Sequence, residues 1–285
     1  MELVGIDIGA TKIKTGRVVK GDIIKVATRY IDKSASTNKT VEVLIQCIDE
    51  VITSDTKRIG IGVPGVVDHL TGTVYYPQNL PAWEAIPLKF IIEQHYKLPV
   101  FINNDANCFA IGEKVFGIGK ELKNFVGLTI GTGIGMGIII NHELYSGTMC
   151  GAGEIGMVNY RDSIIENYAG SFFFTRNYGA SSKDLFDLAE KNDPSALEAF
   201  NEYGEHLGEV IKTILYLFAP PTIILGGSIS LAYPYFVDAL ELSLKTFEHP
   251  KQIKDLNIEV SNKRESAILG AAALCLEGNV SIVNY

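Results

Sequence analysis

The chain has 285 residues, of which 47% are hydrophobic and 20% are charged, and its formal net charge is −8. This length exceeds one ordinary domain and can bury a sizeable core, so we expect two domains. The negative charge, without a basic cluster, argues against nucleic acid as a partner, and no uncharged apolar stretch approaches the roughly 18 residues of a membrane span.

The first predicted element is a strand that leads into a glycine turn at residues 4–12, and a second turn of the same kind lies at 126–137. In each, an apolar run ends at glycine, small hydroxyl residues follow, and a second apolar run leads to a polar turn, at 20–22 or 141–143. The pattern predicts strand, turn, strand and hairpin twice. We interpret the chain as carrying two copies of one unit.

Such turns suit phosphate groups, because glycine lets backbone N–H groups surround anionic oxygens and the hydroxyls of Thr11 and Thr132 can add donors. A single glycine run more often serves a tight turn than a ligand. Two copies, the first carrying Asp7 and Lys12, favour a nucleotide site.

Further elements alternate between helical and strand patterns, which favours an α/β architecture with mixed sheets. In chain order the patterns predict a helix over 41–52, a strand over 58–63, a hairpin and long loop over 66–86, a helix over 87–96, a strand over 99–104, a helix over 106–116, a helix over 194–218, a strand over 222–227, a strand around Ile258 and a helix over 265–277. We expect residues 117–120 to link the two domains.

Asp105 follows the apolar strand that ends at Asn104 and opens the next helix. A carboxylate in this place can be a general base that takes a proton from an alcohol. It can also be a helix N-cap, a position that Asp favours. Both interpretations are open at this point.

Two common nucleotide motifs are missing. The chain has no Gly-x-x-x-x-Gly-Lys-Ser/Thr loop, and no Gly-x-Gly-x-x-Gly opens a helix after the first strand. A P-loop or Rossmann fold is therefore disfavoured.

Seven ordered blocks resemble the ROK group (repressors, open reading frames and sugar kinases) of the actin-like ATPase superfamily, and the resemblance covers nearly the whole chain. They are Asp7–Lys12, Gly62–Asp68, Pro77–Trp83, Asn104–Asn107 with Gly112 and Glu113, Gly131–Gly135, Gly151–Gly156 and Leu225–Ser228. The resemblance implies two actin-like (ribonuclease H-like) lobes, with mixed sheets flanked by helices and a cleft between them. We expect an N-terminal lobe of residues 1–117, joined by a C-terminal helix at 265–285, and a second lobe of residues 118–264.

The resemblance also implies ATP and Mg²⁺ as cofactors, with Asp7 on the Mg²⁺ side, directly or through water, and Asp105 as the general base. The residues that would line the nucleotide are Gly9, Thr11, Lys12, Gly131, Thr132, Gly133, Gly226 and Gly227. Those that would contact the sugar are Pro64, Gly65, Asn79, Asn104, Asp105, Glu154 and Glu166, with Trp83 nearby. For Gly226 and Gly227 a simple strand-to-helix turn is the alternative.

One departure from the family concerns metal. Many members bind a structural zinc through a His after Gly-Glu-x-Gly and a downstream cysteine cluster, but here the His position is Met157 and residues 158–165 contain neither Cys nor His. Zinc of this kind needs three or four nitrogen or sulfur ligands, so we expect no zinc site. In zinc-binding members that His also touches the anomeric end of the sugar, so the resemblance implies that Met157 leaves a pocket tolerant of a larger or less polar substituent there.

We expect an ATP-dependent hexose kinase that phosphorylates a hydroxyl, typically the 6-hydroxyl, with glucose as the default acceptor. N-acetylmannosamine, N-acetylglucosamine, allose, fructose and β-glucosides are alternatives. A non-catalytic sugar-binding regulator is a second class. A DNA-binding repressor is disfavoured, because the kinase strand starts at residue 3.

The N-terminal residues lack a basic region, a continuous apolar segment and a cleavage site, which predicts no secretory signal and a cytoplasmic location. The cysteines, Cys47, Cys108, Cys150 and Cys275, stand far apart, which suits reduced, buried thiols. A homodimer is expected on resemblance only.

Overall fold

The computed structural model describes residues 1–9, 11–32, 34–77, 80–263 and 265–276. The strands are β1 (Glu2–Ile8), β2 (Lys12–Val19), β3 (Asp22–Tyr30), β4 (Thr56–Val63), β5 (Val66–Asp68), β6 (Thr73–Tyr75), β7 (Ala85–Ile86), β8 (Val100–Asn104), β9 (Phe125–Ile130), β10 (Ile134–Ile140), β11 (Glu143–Tyr145), β12 (Asn159–Tyr160), β13 (Ser163–Ile164), β14 (Thr222–Gly226) and β15 (Asn257–Val260). The α-helices are α1 (Thr37–Asp49), α2 (Leu88–Tyr96), α3 (Asp105–Phe116), α4 (Glu166–Ala169), α5 (Phe172–Tyr178), α6 (Ser182–Ala189), α7 (Pro194–Phe218), α8 (Tyr233–Leu244), α9 (Pro250–Asp255) and α10 (Ser266–Ala273).

Two five-stranded sheets share one strand order. The first is β3-β2-β1-β4-β8 and the second is β11-β10-β9-β14-β15. In the first, β1 pairs antiparallel with β2 and parallel with β4, and β4 pairs parallel with β8. In the second, β14 pairs parallel with both β9 and β15. The α/β fold with mixed sheets is confirmed, and the two similar sequence units correspond to two sheets of the same topology.

The turns after the paired strands match as well. Lys20 and Gly21 have φ angles of 53° and 88°, and Asn141 and His142 have φ angles of 54° and 70°. Left-handed conformations at both central positions are typical of the tight hairpin turns whose twist fits the flanking strands. The polar turns predicted at both places are therefore hairpin turns.

The chain divides into two compact units. Of the described residues, the first contains those within 1–123, 137–153 and 261–276, and the second contains residues 124–136 and 154–260. The core of the first unit lies between its sheet and α1, with fully buried residues such as Ile6, Leu44 and Ile61. Ser36 caps α1 by accepting a hydrogen bond from the Lys39 N–H group.

Helix α10 lies unusually close to the sheet of the first unit. A Cβ atom on Gly5 would lie 2.1 Å from the Ile268 carbonyl oxygen, and one on Gly60 would lie 1.7 Å from the Ala271 carbonyl oxygen. Real side chains cannot approach that closely, so glycine at these strand positions is what lets the helix backbone reach the sheet.

The C-terminal end of α3 holds the segments that lead out of and back into the first unit. The buried Glu113 carboxylate accepts hydrogen bonds from the hydroxyls of Ser261 (2.5 Å) and Ser266 (2.8 Å) and from the Ile118 N–H group (3.2 Å). The next residue, Lys114, donates from Nζ to the carbonyl oxygens of Lys120 (2.7 Å) and Leu122 (2.8 Å). Two consecutive side chains thus hold the segment 118–122 and the two serines Ser261 and Ser266.

In the second unit, the 25-residue helix α7 begins at Pro194, and Asp193 caps it by accepting from the Ser195 and Ala196 N–H groups. Among the described residues no helix combines the length and apolarity needed to cross a bilayer. The four cysteines are free and buried, as their spacing indicates.

Candidate functional site

In the first unit, the candidate residues gather at the carboxyl edge of three parallel strands. The strand register places Asp7 opposite Gly62, and Gly62 opposite Asn103. Neighbouring strands are about 4.8 Å apart, so the backbones of Asp7 and Asn103 are about 10 Å apart along this edge. Asp7 and the start of α3 therefore face the same edge of one sheet.

Asn104, and not Asp105, is the N-cap of α3. The Asn104 Oδ1 atom accepts hydrogen bonds from the N–H groups of Ala106 (2.9 Å) and Asn107 (3.3 Å), and its Nδ2 donates to the Gly65 carbonyl oxygen (3.2 Å). Asp105 is the first residue of the helix, and its carboxylate also accepts from the Ala106 N–H group (2.9 Å). The cap role that sequence alone left open for Asp105 belongs to its neighbour.

Burial raises the pKa of Asp7 from 3.8 to about 6, against the opposing effect of Lys14, while Glu265 raises it further. Burial penalises the charged form of a carboxylate, so a nearby cation stabilises that charged form. Lys14 itself lies 2.7 Å from Glu265 in an ion pair. The electrostatics of this edge therefore favour additional positive charge beside Asp7.

The first glycine turn is closed by a hydrogen bond from the Gly9 N–H group to the Lys12 carbonyl oxygen (2.9 Å). The Thr11 carbonyl oxygen accepts from the Ile31 N–H group of the neighbouring chain segment (3.0 Å). Thr11 and Lys12 are exposed. The turn thus presents a hydroxyl and an ammonium group next to the strand that carries Asp7.

The second glycine turn is tighter and is held from outside. The Gly131 N–H group donates to the Gly133 carbonyl oxygen (2.9 Å), and the Gly131 carbonyl oxygen accepts from the Ser171 N–H group (2.8 Å). A Cβ on Gly133 would lie 2.2 Å from the Glu166 Oε2 atom. The exposed Thr132 stands at the tip of this turn.

Gly226 and Gly227 lie beside that turn, because β14 runs parallel to β9 with Gly226 opposite Thr129. Gly227 has a φ angle of 86°, and a Cβ there would lie 2.3 Å from the Ile130 carbonyl oxygen. Both the left-handed backbone and the close approach require glycine. The turn after β14 and the second glycine turn form one surface of backbone groups at the carboxyl ends of two strands.

Glu166, the first residue of α4, connects two segments of the second unit. Its Oε2 accepts from the Ile134 N–H group at 3.3 Å, and its Cβ lies 3.5 Å from where a Cβ on Gly156 would be. Gly156 belongs to the short 3-10 turn Ile155–Met157, which follows the exposed Glu154. Glu166 therefore contacts both the second glycine turn and the Glu154 segment.

The candidate residues fall into two sets, one in each unit. The first unit holds Asp7, Gly9, Thr11, Lys12, Pro64, Gly65, Asn104 and Asp105, and the second holds Gly131, Thr132, Gly133, Glu154, Glu166, Gly226 and Gly227. Asn79 lies outside the described residues. Trp83 is 1% exposed and belongs to the core of the first unit.

Several contributors were not predicted from the sequence. Ser171 supports the second glycine turn by donating to Gly131. The sequence feature that could have indicated it is the small residue at the end of the segment Tyr168–Ser171. Ser228 follows the glycine pair, with its Oγ 3.6 Å from where a Cβ on Gly131 would be. Glu113 was noted only as part of a resembling block, and its contacts with Ser261 and Ser266 cross about half of the chain.

Within the described part of the chain, no group of three or more His, Cys, Asp or Glu side chains is arranged to hold a metal ion. The segment 158–165, which contains neither Cys nor His, includes the β12–β13 hairpin. A magnesium ion that is held mainly by phosphates and water needs only one or two carboxylates, which Asp7 can supply.

Comparison with known proteins agrees with this fold. A xylose repressor from Bacillus spizizenii is 32% identical over 98% of this chain and 78% of its own length. A glucokinase from Thermotoga maritima is 29% identical over 97% of this chain and 98% of its own length. A ROK family glucokinase from Streptomyces griseus, solved in complex with glucose and AMPPNP, has a TM-score of 0.82 at 26% identity and covers 96% of this chain and 99% of its own. The ROK family model matches residues 3–277, and this chain therefore belongs to the ROK family.

Proposed function

We propose that this protein is an ATP-dependent kinase that transfers the γ-phosphoryl group to a hydroxyl of a hexose, most simply the 6-hydroxyl, with Asp105 as the general base. The observation that carries the proposal is the position of Asp105 as the first residue of α3, directly after β8, at the carboxyl edge of the sheet that also carries Asp7. A carboxylate at this edge can take a proton from a bound hydroxyl group.

In this reaction the sugar oxygen attacks the terminal phosphorus, the bond to the leaving ADP oxygen breaks, and the hydroxyl proton passes to the Asp105 carboxylate. A general base of this kind typically contributes a factor of about 10² to 10⁴. Asn104 would bind a sugar hydroxyl with the hydrogen-bonding capacity of its side-chain amide that capping α3 does not use. The backbone of Pro64 and Gly65 would contact the sugar as well. The proposal also assigns sugar contacts to Asn79, Glu154 and Glu166.

The proposal assigns the nucleotide phosphates to Gly9, Thr11, Lys12, Gly131, Thr132 and Gly133. The backbone N–H groups and hydroxyls would bind phosphate oxygens, and Gly226 with Gly227 would let the nucleoside approach the main chain. Asp7 would hold Mg²⁺, directly or through water, and the ion would offset the charge of the phosphates.

The acceptor is proposed to be glucose or a hexose with a larger substituent near its anomeric carbon. Met157, which follows the Glu154 segment, is 46% exposed. A thioether cannot pair with a sugar hydroxyl as a histidine can, so we expect tolerance of N-acetylmannosamine or a β-glucoside. Strict preference for unsubstituted glucose across a panel would contradict this proposal.

The test is ADP production from Mg·ATP with glucose, fructose, allose, N-acetylglucosamine, N-acetylmannosamine and a β-glucoside. Wild type and Asp105→Asn are compared side by side, with Asp193→Asn as the control, because Asp193 is also a carboxylate at the start of a helix. We expect turnover with at least one sugar, a loss of about 10² to 10⁴ in Asp105→Asn, and little change in Asp193→Asn. Full turnover in Asp105→Asn would remove the base assignment.

A sugar-binding regulator is the second candidate, favoured by the 32% identity to a xylose repressor. It predicts sugar binding in a thermal-shift assay without ADP production from any acceptor. The presence of both Asp7 and Asp105 favours the kinase, since binding alone gives this pair no evident use.

A further inference from the structure

The hairpin that precedes Glu166 is surrounded by aromatic rings and guanidinium groups. The Tyr160 and Tyr168 ring centroids are 5.1 Å apart, and the Tyr168 and His206 centroids are 4.9 Å apart, both in edge-to-face arrangements. The Arg161 guanidinium lies 5.7 Å from the Tyr168 ring centroid, and that of Arg176 lies 4.6 Å from it. Tyr168 is thus contacted on several sides.

Hydrogen bonds tie the same rings to the hairpin. The Tyr168 hydroxyl donates to the Asp162 carboxylate, and the Tyr160 hydroxyl lies 3.1 Å from the His206 Nδ1 atom. The pKa of Asp162 is lowered, chiefly by the hydrogen bond from Tyr168. Asn167 Nδ2 donates to the Ser163 Oγ atom (2.7 Å). Two of these side-chain pairs therefore join the hairpin to α4, and the pair of Tyr160 and His206 joins it to α7.

The hairpin lies in the segment where the family resemblance implies a structural zinc. The side chains around the hairpin do not suit zinc as ligands. His206 Nδ1 contacts Tyr160, and the Asp162 carboxylate accepts from Tyr168. No third ligand joins them among the described residues. A tetrahedral zinc needs four ligands, at least three of them from the protein.

We propose that the cluster of Tyr160, Arg161, Asp162, Tyr168, Arg176 and His206 replaces a structural metal and that Tyr168 is the positioning residue that fixes Glu166. Tyr168 lies two residues after Glu166, on roughly the opposite side of one helical turn. Holding the ring therefore fixes the rotation of α4, which directs the Glu166 carboxylate to the Ile134 N–H group. Edge-to-face and cation–π contacts stabilise packed rings beyond the area that they bury, so together they can hold the hairpin against α4 without a metal.

The direct readout is amide hydrogen exchange at Ile134, whose N–H group donates to Glu166. In Tyr168→Leu we expect exchange about tenfold faster at this amide, the factor that one ordinary hydrogen bond corresponds to. Tyr168→Phe should have a smaller effect, because it keeps the ring. Tyr96→Phe is the matched control, since it removes a tyrosine hydroxyl that donates to the Asp49 carboxylate (2.8 Å) in the first unit.

Arg176→Met serves as a second variant, because Arg176 is exposed and its loss leaves the core intact. Faster exchange at Ile134 in this variant supports the proposal even if Tyr168→Leu does not fold. Unchanged exchange in both folded variants, or in Arg176→Met alone where only it folds, would overturn it.

Metal analysis tests the other half of the inference. We expect substoichiometric zinc in the purified protein and an unchanged unfolding midpoint with a strong chelator. One zinc per chain, with a midpoint that falls on chelation, would overturn the proposal.

Any effect of the cluster on sugar binding rests on the proposed function of Glu166. Amide exchange at Ile134 tests the cluster separately from that function. Faster exchange together with a raised KM for the sugar supports both. Faster exchange with an unchanged sugar KM supports the cluster and counts against the role of Glu166 in the sugar site.

Discussion

The two glycine turns look alike in sequence but are supported differently. The first is closed by its own hydrogen bond from Gly9 to Lys12, and it stands beside the charged side chains of Asp7 and Lys14. The second closes over three residues and depends on Ser171 and Glu166, which lie more than thirty residues away. One turn therefore contributes charge, and the other contributes backbone donors whose geometry distant residues maintain.

This difference shows how a duplicated motif can diverge in its duties while its topology is kept. The sheets have the same strand order, so the divergence lies in what surrounds each turn. Four variants can break or sharpen the comparison.

Replacement of Asp7 by Asn should have the largest effect. We expect turnover to fall by about 10²-fold or more, because the charge that would hold the metal ion is lost. Stability should rise instead. The folded-state pKa of about 6 lies above the usual 3.8, so the wild type loses stability as pH rises between these values, by about 3 kcal/mol at most.

Urea unfolding at several pH values measures this gain. Asp7→Asn should match the wild type near pH 3.8 and be more stable above about pH 6. Asp22→Asn, which changes an exposed carboxylate in the same sheet, is the control. If Asp7→Asn were less stable than the wild type at pH 8, the charge of Asp7 would not destabilise the folded state.

Gly227→Ala should destabilise the second unit by about 3 kcal/mol, because a left-handed residue gains a Cβ that meets the Ile130 carbonyl oxygen. Gly179→Ala is the control, since its φ angle is 66° but no atom lies within 4 Å of the added Cβ. That control should cost about 1 kcal/mol. If both variants lost the same free energy of unfolding in a denaturant titration, the backbone at Ile130 would have moved to accommodate the added Cβ at little cost.

Gly133→Ala should displace the Glu166 carboxylate and lower kcat/KM by about tenfold to a hundredfold, since a shift of about 1 Å at a site can have that effect. Gly9→Ala is the matched change in the first turn, where the nearest atom would be 3.3 Å away, and its effect should be much smaller. If Gly9→Ala lost as much activity, the supports of the two turns would be equivalent.

Lys14→Gln should have the smallest effect, about 0.5 kcal/mol of stability from the ion pair with Glu265. It should also raise the pKa of Asp7 further, because Lys14 opposes the effect of burial. A carboxyl NMR titration measures this shift, and Lys39→Gln, which breaks the exposed pair with Glu42, should leave Asp7 unchanged. A lowered Asp7 pKa in Lys14→Gln would contradict the assignment.

Local pattern was enough to predict most elements of the fold. The apolar spacing over 41–52 predicted α1, and the run that ends at Asn104 predicted β8 and α3. These features depend on neighbours within a few residues. The placement of Asp7 and Asp105 at strand ends followed from the same patterns.

Choices between adjacent residues and contacts between distant ones could not be predicted. Asn104 and Asp105 are both good cap residues, so only the backbone conformation decides which one caps α3. The contact of Glu166 with Ile134 joins positions 32 residues apart, and that of Glu113 with Ser266 joins positions 153 apart. No periodicity reports such pairs.

The close approach of α10 to the sheet also bears on how the chain folds during synthesis. Residues 266–273 leave the ribosome long after β1 and β4, yet they cover the glycines of those two strands. Until then, the strand faces that end at Asp7 and Val63 lack the helix that covers them. This face of the first sheet is therefore covered only after the second unit has been synthesised. Nascent chains that stop before residue 266 should depend on chaperones.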